Sequence, residues 1–211
     1  MDPRTFAAGA WSACWPAPCP GCRLTGTEGF CPGCRAAARA PLAARVGEAR
    51  LLVLAAGSYR GGLRRAILAL KQGDRPDLAR SLAALFPGPP PGAPLLVPVP
   101  TSPDRVRARG YDHALLLARH LARTWGCPVS PRVLRRTRAT PRLHASGPGE
   151  RRRLLRGAFA AVRSRKTAEV WLVDDLCTTG ATLDGCRSAL GMRGWDVRGA
   201  VVLARACSGM R

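Results

Sequence analysis

The stretch Val170 to Leu183, VWLVDDLCTTGATL, restricts the fold more than any other part of the chain. Its first four residues are apolar, so Ala168 to Val173 is expected to be a strand buried on both faces, as in a parallel sheet covered by helices. The strand leads into two adjacent acids, Asp174 and Asp175, at a depth where a soluble fold excludes unpaired charge. Thr178, Thr179, Gly180, Ala181 and Thr182 then make a compact loop that enters a helix over about Ala181 to Met192. Backbone N–H groups, threonine hydroxyls and the positive end of the helix can converge there on one phosphate, and Gly180 permits the tight turn and close backbone approach this requires. Carboxylates beside a phosphate cradle suit a ribose phosphate: the acids accept hydrogen bonds from ring hydroxyls and the loop holds the 5-phosphate. The plainer alternative, acids that cap a helix and an ordinary turn, does not account for strand, acid pair and loop arriving in that order.

A chain of 211 residues holds one ordinary α/β domain and a small appendage. Leu51 to Ala55 reads as the first strand, and Gly61-Gly62 opens a helix through Leu63, Ile67, Leu68 and Lys71. A second helix is expected over Asp77 to Phe86, and the proline-rich Pro87 to Pro94 is expected to be a surface connection. Leu95 to Val97 is a strand, followed by an arginine-rich loop to Gly110 and a helix from Asp112 to Trp125 with an apolar face. Thr137 to Gly149 reads as a long polar loop of the kind that forms lids, and Val197 to Ala204 as the last strand. Strands alternating with helices predict a mainly parallel sheet flanked by helices, with ligands at the carboxyl ends of its strands. This α/β domain is placed at residues 49–211, after a cysteine-rich module and an Ala/Arg-rich connector at 1–48.

Within that module, Cys19-Pro-Gly-Cys22 and Cys31-Pro-Gly-Cys34 are identical knuckles eight residues apart. Four soft thiolates on two tight turns suit tetrahedral Zn²⁺, whose binding supplies folding free energy that so small a zinc-ribbon-like module lacks. A redox CxxC introduces a helix, and none is expected here. Cys14 is an alternative ligand, Cys127, Cys186 and Cys207 read as apolar fillers, and Cys177 is placed inside the phosphate loop, where modification would block the site. Trp11, Trp15 and Phe30 either pack the module against the main domain or stack on unpaired bases. His113, His120 and His144 lack metal-ligand spacing and are read as ordinary helix or loop residues.

Thirty-four basic against thirteen acidic residues give a net charge of +21, and only Lys71 and Lys166 are lysines. Between Thr101 and Arg165 sixteen arginines face three acids, an excess of +13. Such a surface attracts phosphates, in nucleic acid or in a phosphorylated metabolite. Arg135, Arg136 and Arg138 are the candidates for single-stranded DNA, outside the ribose-phosphate pocket. The longest apolar run is too short to span a membrane, and the first residues lack a charged segment leading into a sustained apolar stretch, so a cytoplasmic address is expected.

In chain order, the twin knuckles, YRGGLRRAILALKQGD, LLVPVPTSPDRVRARGYDHALLLARHLA, ERRRLLRGAF and DDLCTTGAT resemble the ComF family of competence-associated phosphoribosyltransferase-like proteins. The last of these is similar to the phosphoribosyl pyrophosphate signature of type I phosphoribosyltransferases. The resemblance implies that fold, with phosphoribosyl pyrophosphate or a related ribose 5-phosphate bound together with Mg²⁺. It implies that Asp174 and Asp175 bind ribose hydroxyls and that Thr178 to Thr182 bind the 5-phosphate. Arg105 and Arg109, with Lys71, would stabilise the leaving pyrophosphate. It also implies a link to DNA uptake, with two forms open: a transferase of unknown acceptor, or a non-catalytic single-stranded DNA-binding factor that retains the pocket. Oligomeric state is open as well. Three places depart from the family pattern: Arg109-Gly110-Tyr111-Asp112-His113 replaces Arg-Gly-Phe-Asn-Gln, Arg142 replaces a Gln, and Leu154 replaces an Asn. They touch expected acceptor or lid contacts.

Overall fold

Apolar runs become the strands of one five-stranded sheet in a computed structural model that describes residues 18–25, 29–39, 42–72, 75–92, 95–138, 155, 157–164 and 168–206. The strands are β1 (Leu42–Val46), β2 (Leu51–Ser58), β3 (Leu95–Pro98), β6 (Ala168–Cys177) and β7 (Trp195–Arg205), in the order β1-β2-β7-β6-β3. β2, β7, β6 and β3 run parallel, and β1 pairs antiparallel with β2. Val170 to Val173 and Ala200 to Ala204 are buried without alternation, as expected of inner strands covered on both faces. A separate antiparallel pair, β4 (Leu134–Arg136) with β5 (Phe159–Ala161), has no counterpart in the sequence reading.

Helices α2 (Gly61–Gln72), α3 (Leu78–Ala83) and α5 (His113–Trp125) cover one face, packing Leu63, Ile67, Leu70, Leu82, Leu117 and Leu121 against Val173, Val201 and Leu203. Helix α6 (Ala181–Gly191) covers the other, with Leu183, Cys186 and Leu190 against Leu172 and Val202. The start of α5 is fixed by Asp112, whose carboxylate accepts the N–H groups of Ala114 and Leu115. β3 therefore leaves the sheet toward α5 on one face, while its neighbour β6 leaves toward α6 on the other. Adjacent parallel strands that diverge in this way open a crevice at their carboxyl ends, the place where doubly wound sheets bind ligands.

Some expectations need correction. The stretch 35–48, read as a connector, contains most of α1 (Pro32–Ala38) and all of β1. A helix thus does follow the second CxxC, started by Pro32 at a position where a proline's missing N–H costs nothing. The arginine-rich loop contains α4 (Pro103–Arg109). β6 does not stop at Val173 but continues through both acids to Cys177, because β7 goes on pairing with it up to Arg205 after β3 has ended. Most of the expected 137–149 loop lies outside the described residues.

The cysteine module shares the main core: Cys19, Phe30, Cys31 and Ala38 are buried in the same cluster as α2. Two glycines allow this approach. A Cβ on Gly57 of β2 would stand 2.2 Å from the Ala38 carbonyl oxygen, and one on Gly62 of α2 would stand 2.8 Å from Gly21 Cα. Arg65 adds a donor, its Nε 2.8 Å from the Gly21 carbonyl oxygen. Gly57→Ala drives a methyl into backbone that cannot swing aside, so it should destabilise the protein by about 1–3 kcal/mol. Thermal unfolding is the measurement, and an unchanged Tm would contradict the close docking of α1 on β2.

Candidate functional site

At the crevice, strand geometry separates the two acids. Neighbouring residues of a strand point to opposite faces, and Asp175 turns under α2 and α5 while Asp174 turns toward α6 and β4. Asp175 is buried, and its Oδ2 is 2.8 Å from Lys71 Nζ and 2.9 Å from His113 Nε2. Burial pushes this carboxyl up, but His113 and Lys71 outweigh it and hold it well below the usual carboxylate range. Burial likewise pulls the Lys71 ammonium down, and Asp175 more than offsets it, so its pKa lies above the ordinary lysine value. Asp174, half-buried, makes no such ion pair among the described residues. Burial and then the charge of Asp175 push its pKa up to about 7, although its Oδ1 accepts the Asp175 N–H at 2.8 Å.

The next residues form the cradle. Thr178 is exposed, Thr179 Oγ1 accepts the Ala181 N–H at 3.4 Å, and Gly180, at φ 84°, caps α6 in a left-handed conformation that other residues reach only with strain. Ala181 and Thr182 give α6 its first turn. The cradle leans on the β1–β2 turn: a Cβ on Gly180 would stand 2.9 Å from Gly47 N, and Asp184 Oδ2 accepts the Glu48 N–H at 3.0 Å.

Across the crevice, α4 supplies arginines one helical turn apart. Arg105 is exposed, and Arg109 is half-buried with Nη1 2.6 Å from His113 Nδ1. The expected DNA-binding trio divides. Arg135 and Arg138 are exposed on and beside β4, whereas Arg136 is half-buried with its guanidinium 5.3 Å from the Phe159 ring centroid. Burial and then Arg105 depress the Arg136 pKa while Cys186 and Asp174 raise it, so the Arg136 guanidinium lies within electrostatic reach of Asp174 and Arg105.

Sequence reading missed His113. Its location at the start of α5, directly after the Asp112 cap, was the available signal, since a first-turn side chain at a strand-to-helix loop points into the crevice. Cys177 needs correction too: it ends β6, is buried, and burial pushes its thiol up to about 11, so it offers no reactive thiolate in the loop. Cys127, Cys186 and Phe30 are buried as packing residues. Cys14, Trp11, Trp15, Arg142, His144, Leu154 and Cys207 lie outside the described residues.

The Sγ atoms of Cys19, Cys22, Cys31 and Cys34 lie within 4.8 Å of one another, with Cys22 and Cys31 3.7 Å apart. Tetrahedral zinc with bonds of about 2.3 Å needs sulfurs about 3.8 Å apart, so the cluster is compatible with a structural zinc. The Cys31 N–H donates to Cys19 Sγ at 3.3 Å, and the Cys34 N–H to Cys31 Sγ at 3.4 Å. Burial pushes the Cys19 thiol up, but the N–H groups of Cys31, Cys22 and Gly21 outweigh it and bring it down to about 6. Burial and the three neighbouring sulfurs push Cys34 up to about 12. One thiolate suppresses the next, and a divalent cation removes that conflict. His113, Asp174 and Asp175 also group within 4.8 Å, but Lys71 and the His113 ring already occupy Asp175 Oδ2. Among the described residues no helix is long and apolar enough to cross a membrane.

The chain is a distant homologue of Competence protein F of Haemophilus influenzae, 34% identical over 92 residues, which is 42% of this chain and 40% of that protein. It is 33% identical over 88 residues to DNA utilization protein YhgH of Escherichia coli O157:H7 and of Salmonella typhi, covering 42% of this chain and 39% of each relative. The matches thus span about two fifths of the length of these curated relatives. No family model matches the chain.

Two expectations follow. The knuckles are identical in sequence but not in surroundings: a Cβ on Gly21 would stand 2.6 Å from Cys34 Sγ, whereas one on Gly33 meets nothing within 4 Å. Gly21→Ala should therefore lower bound zinc in metal analysis of the purified protein, and Gly33→Ala should retain it; equal occupancy in both would contradict the cluster geometry. The second concerns Asp174. A carboxyl whose pKa is raised on folding to about 7 binds more protons folded than unfolded between about pH 4 and 7, so it costs stability as pH rises through that window. Asp174→Asn should raise Tm at pH 7.5, with the gain shrinking toward pH 4, in thermal melts across that range. A gain independent of pH would remove the strained charge from Asp174.

Proposed function

We propose that the crevice binds phosphoribosyl pyrophosphate, or a related ribose 5-phosphate, and that the protein acts as a phosphoribosyltransferase whose acceptor enters from the β4 side. What carries this reading is the acid pair at the carboxyl end of β6 meeting the Thr178–Gly180 cradle at the point where β3 and β6 diverge. In this reading the α6 N-terminus and the threonine hydroxyls hold the 5-phosphate, and Asp174 accepts hydrogen bonds from the ribose hydroxyls. Lys71 neutralises Asp175 behind it, so that one uncompensated carboxylate faces the ligand. Arg105, Arg109 and Arg136 face the pyrophosphate side.

Transfer breaks the bond from ribose C1 to the pyrophosphate oxygen, and the electron pair leaves with pyrophosphate while positive charge grows on the ring. The half-buried Asp174 carboxylate lies where that charge develops, and the arginines lie where the leaving charge collects. Asp174 is also the carboxylate left to hold a Mg²⁺, a hard cation that prefers oxygen ligands and would neutralise the pyrophosphate.

Calorimetric titration with phosphoribosyl pyrophosphate and Mg²⁺ tests the reading. Wild type should bind, and Asp174→Asn should lose at least about tenfold in affinity, the scale of one charged hydrogen bond in a desolvated site. Pyrophosphate release across a panel of bases and amines then tests turnover. A wild type that fails to bind would overturn the reading. If it also bound single-stranded DNA with log affinity falling by about 0.7 per log unit of salt for each phosphate contacted, the DNA-binding alternative would take its place. The exposed Arg135 and Arg138 and the similarity to DNA utilization protein YhgH favour that alternative.

A further inference from the structure

His113 is the first residue of α5, and its side chain is only 10% exposed. Its two ring nitrogens face different partners. Nδ1 is 2.6 Å from Arg109 Nη1, and Nε2 is 2.9 Å from Asp175 Oδ2. A guanidinium has donors and no acceptor, so Nδ1 must present its lone pair to Arg109. The ring proton then sits on Nε2, the nitrogen in ion-pair contact with Asp175 Oδ2. Thr101 Oγ1, 3.4 Å from Nδ1, donates to Asp112 Oδ1 at 3.1 Å, which leaves the Nδ1 lone pair to the arginine. Lys71 Nζ meets the same oxygen, Asp175 Oδ2, at 2.8 Å. A chain of contacts thus runs from α2 through β6 and α5 to α4, and it ends on Arg109, half-buried with its guanidinium 5.9 Å from the Tyr111 ring centroid.

Resting on the phosphoribosyl reading above, we infer that His113, its tautomer fixed by Asp175, is a positioning residue for Arg109 and so for the pyrophosphate group of the ligand. Asp175 acts from behind the ring, whereas Asp174 meets the ribose. The two acids consequently serve different halves of one ligand. Removing His113 should disturb the pyrophosphate half and spare the ribose phosphate half, an asymmetry that a general packing defect would not produce.

The experiment compares phosphoribosyl pyrophosphate with ribose 5-phosphate by calorimetry on the full chain. His113→Leu should weaken the first ligand about tenfold, the scale of one charge-assisted hydrogen bond, and leave the second within about twofold. Combined with Arg109→Ala it should add nothing to the loss caused by Arg109→Ala alone. His113→Gln, which keeps one acceptor and one donor, should stay within about threefold of wild type for both ligands and serves if the leucine variant does not fold. Imidazole ¹⁵N resonances of wild type, free of ligand, should show the Nε2–H tautomer. Equal losses for both ligands, full additivity, unchanged affinity for phosphoribosyl pyrophosphate, or an Nδ1–H tautomer would each overturn the inference. A wild type that binds neither ligand overturns the phosphoribosyl reading itself; binding by wild type with an indifferent His113→Leu variant overturns only the role of His113.

Discussion

A carboxylate on an inner strand has to find compensation from whatever packs over it, and Asp175 finds it in Lys71 and His113. Those partners come from separate helices, so the ion cluster pins α2 and α5 over the carboxyl end of β6 at a fixed distance. An apolar residue at 175 would pack there at less cost, since replacing buried ion pairs with hydrophobes is often neutral or stabilising. The charged arrangement therefore points to use and not to stability. It keeps the mouth of the crevice polar and prevents the helices from collapsing onto it. The raised pKa of Asp174 on the opposite face of the strand fits the same account: burial and the charge of Asp175 disfavour its ionised form, and a donor or cation placed beside it would favour that form.

The cysteine module joins this arrangement through backbone contact. Gly21 meets Gly62 at the beginning of α2, and Lys71 closes the same helix. The packing of the knuckles thus seats one end of the helix whose other end meets Asp175. Sharing the core of the main domain also relieves the module of building one, which its few aliphatic residues would not allow.

Much of the fold was legible because its strands are apolar without alternation, a pattern that leaves little choice but a covered parallel sheet. The acid pair and the Thr-Thr-Gly loop were legible for the same reason, as polar residues where a buried strand ends. What the sequence concealed depends on contact between distant segments. Leu42–Val46 looks like part of a linker because an edge strand needs only modest hydrophobicity. α4 was hidden by arginines that read as a polar loop, although its glycine end and proline start conform to helix rules. His113 carries no metal-ligand spacing signal, since the acid it meets, Asp175, lies 62 residues after it in the chain. Arg135 and Arg136 are adjacent, and only strand pairing with Phe159 reveals that one faces the crevice and the other the solvent.

The β1–β2 turn is a surface hairpin by its place in the chain, yet Gly180 and Asp184 are built onto it. Surface turns ordinarily tolerate changes of length because nothing depends on their path. This one has a path dictated from behind, by the backbone of the turn that starts α6. This edge strand therefore acts as a buttress, and the spacing from Val46 to Leu51 bears on the shape of the candidate site although it lies behind the Thr178–Gly180 turn. Insertions that would pass unnoticed at Pro87 to Pro91 would here widen the cradle itself.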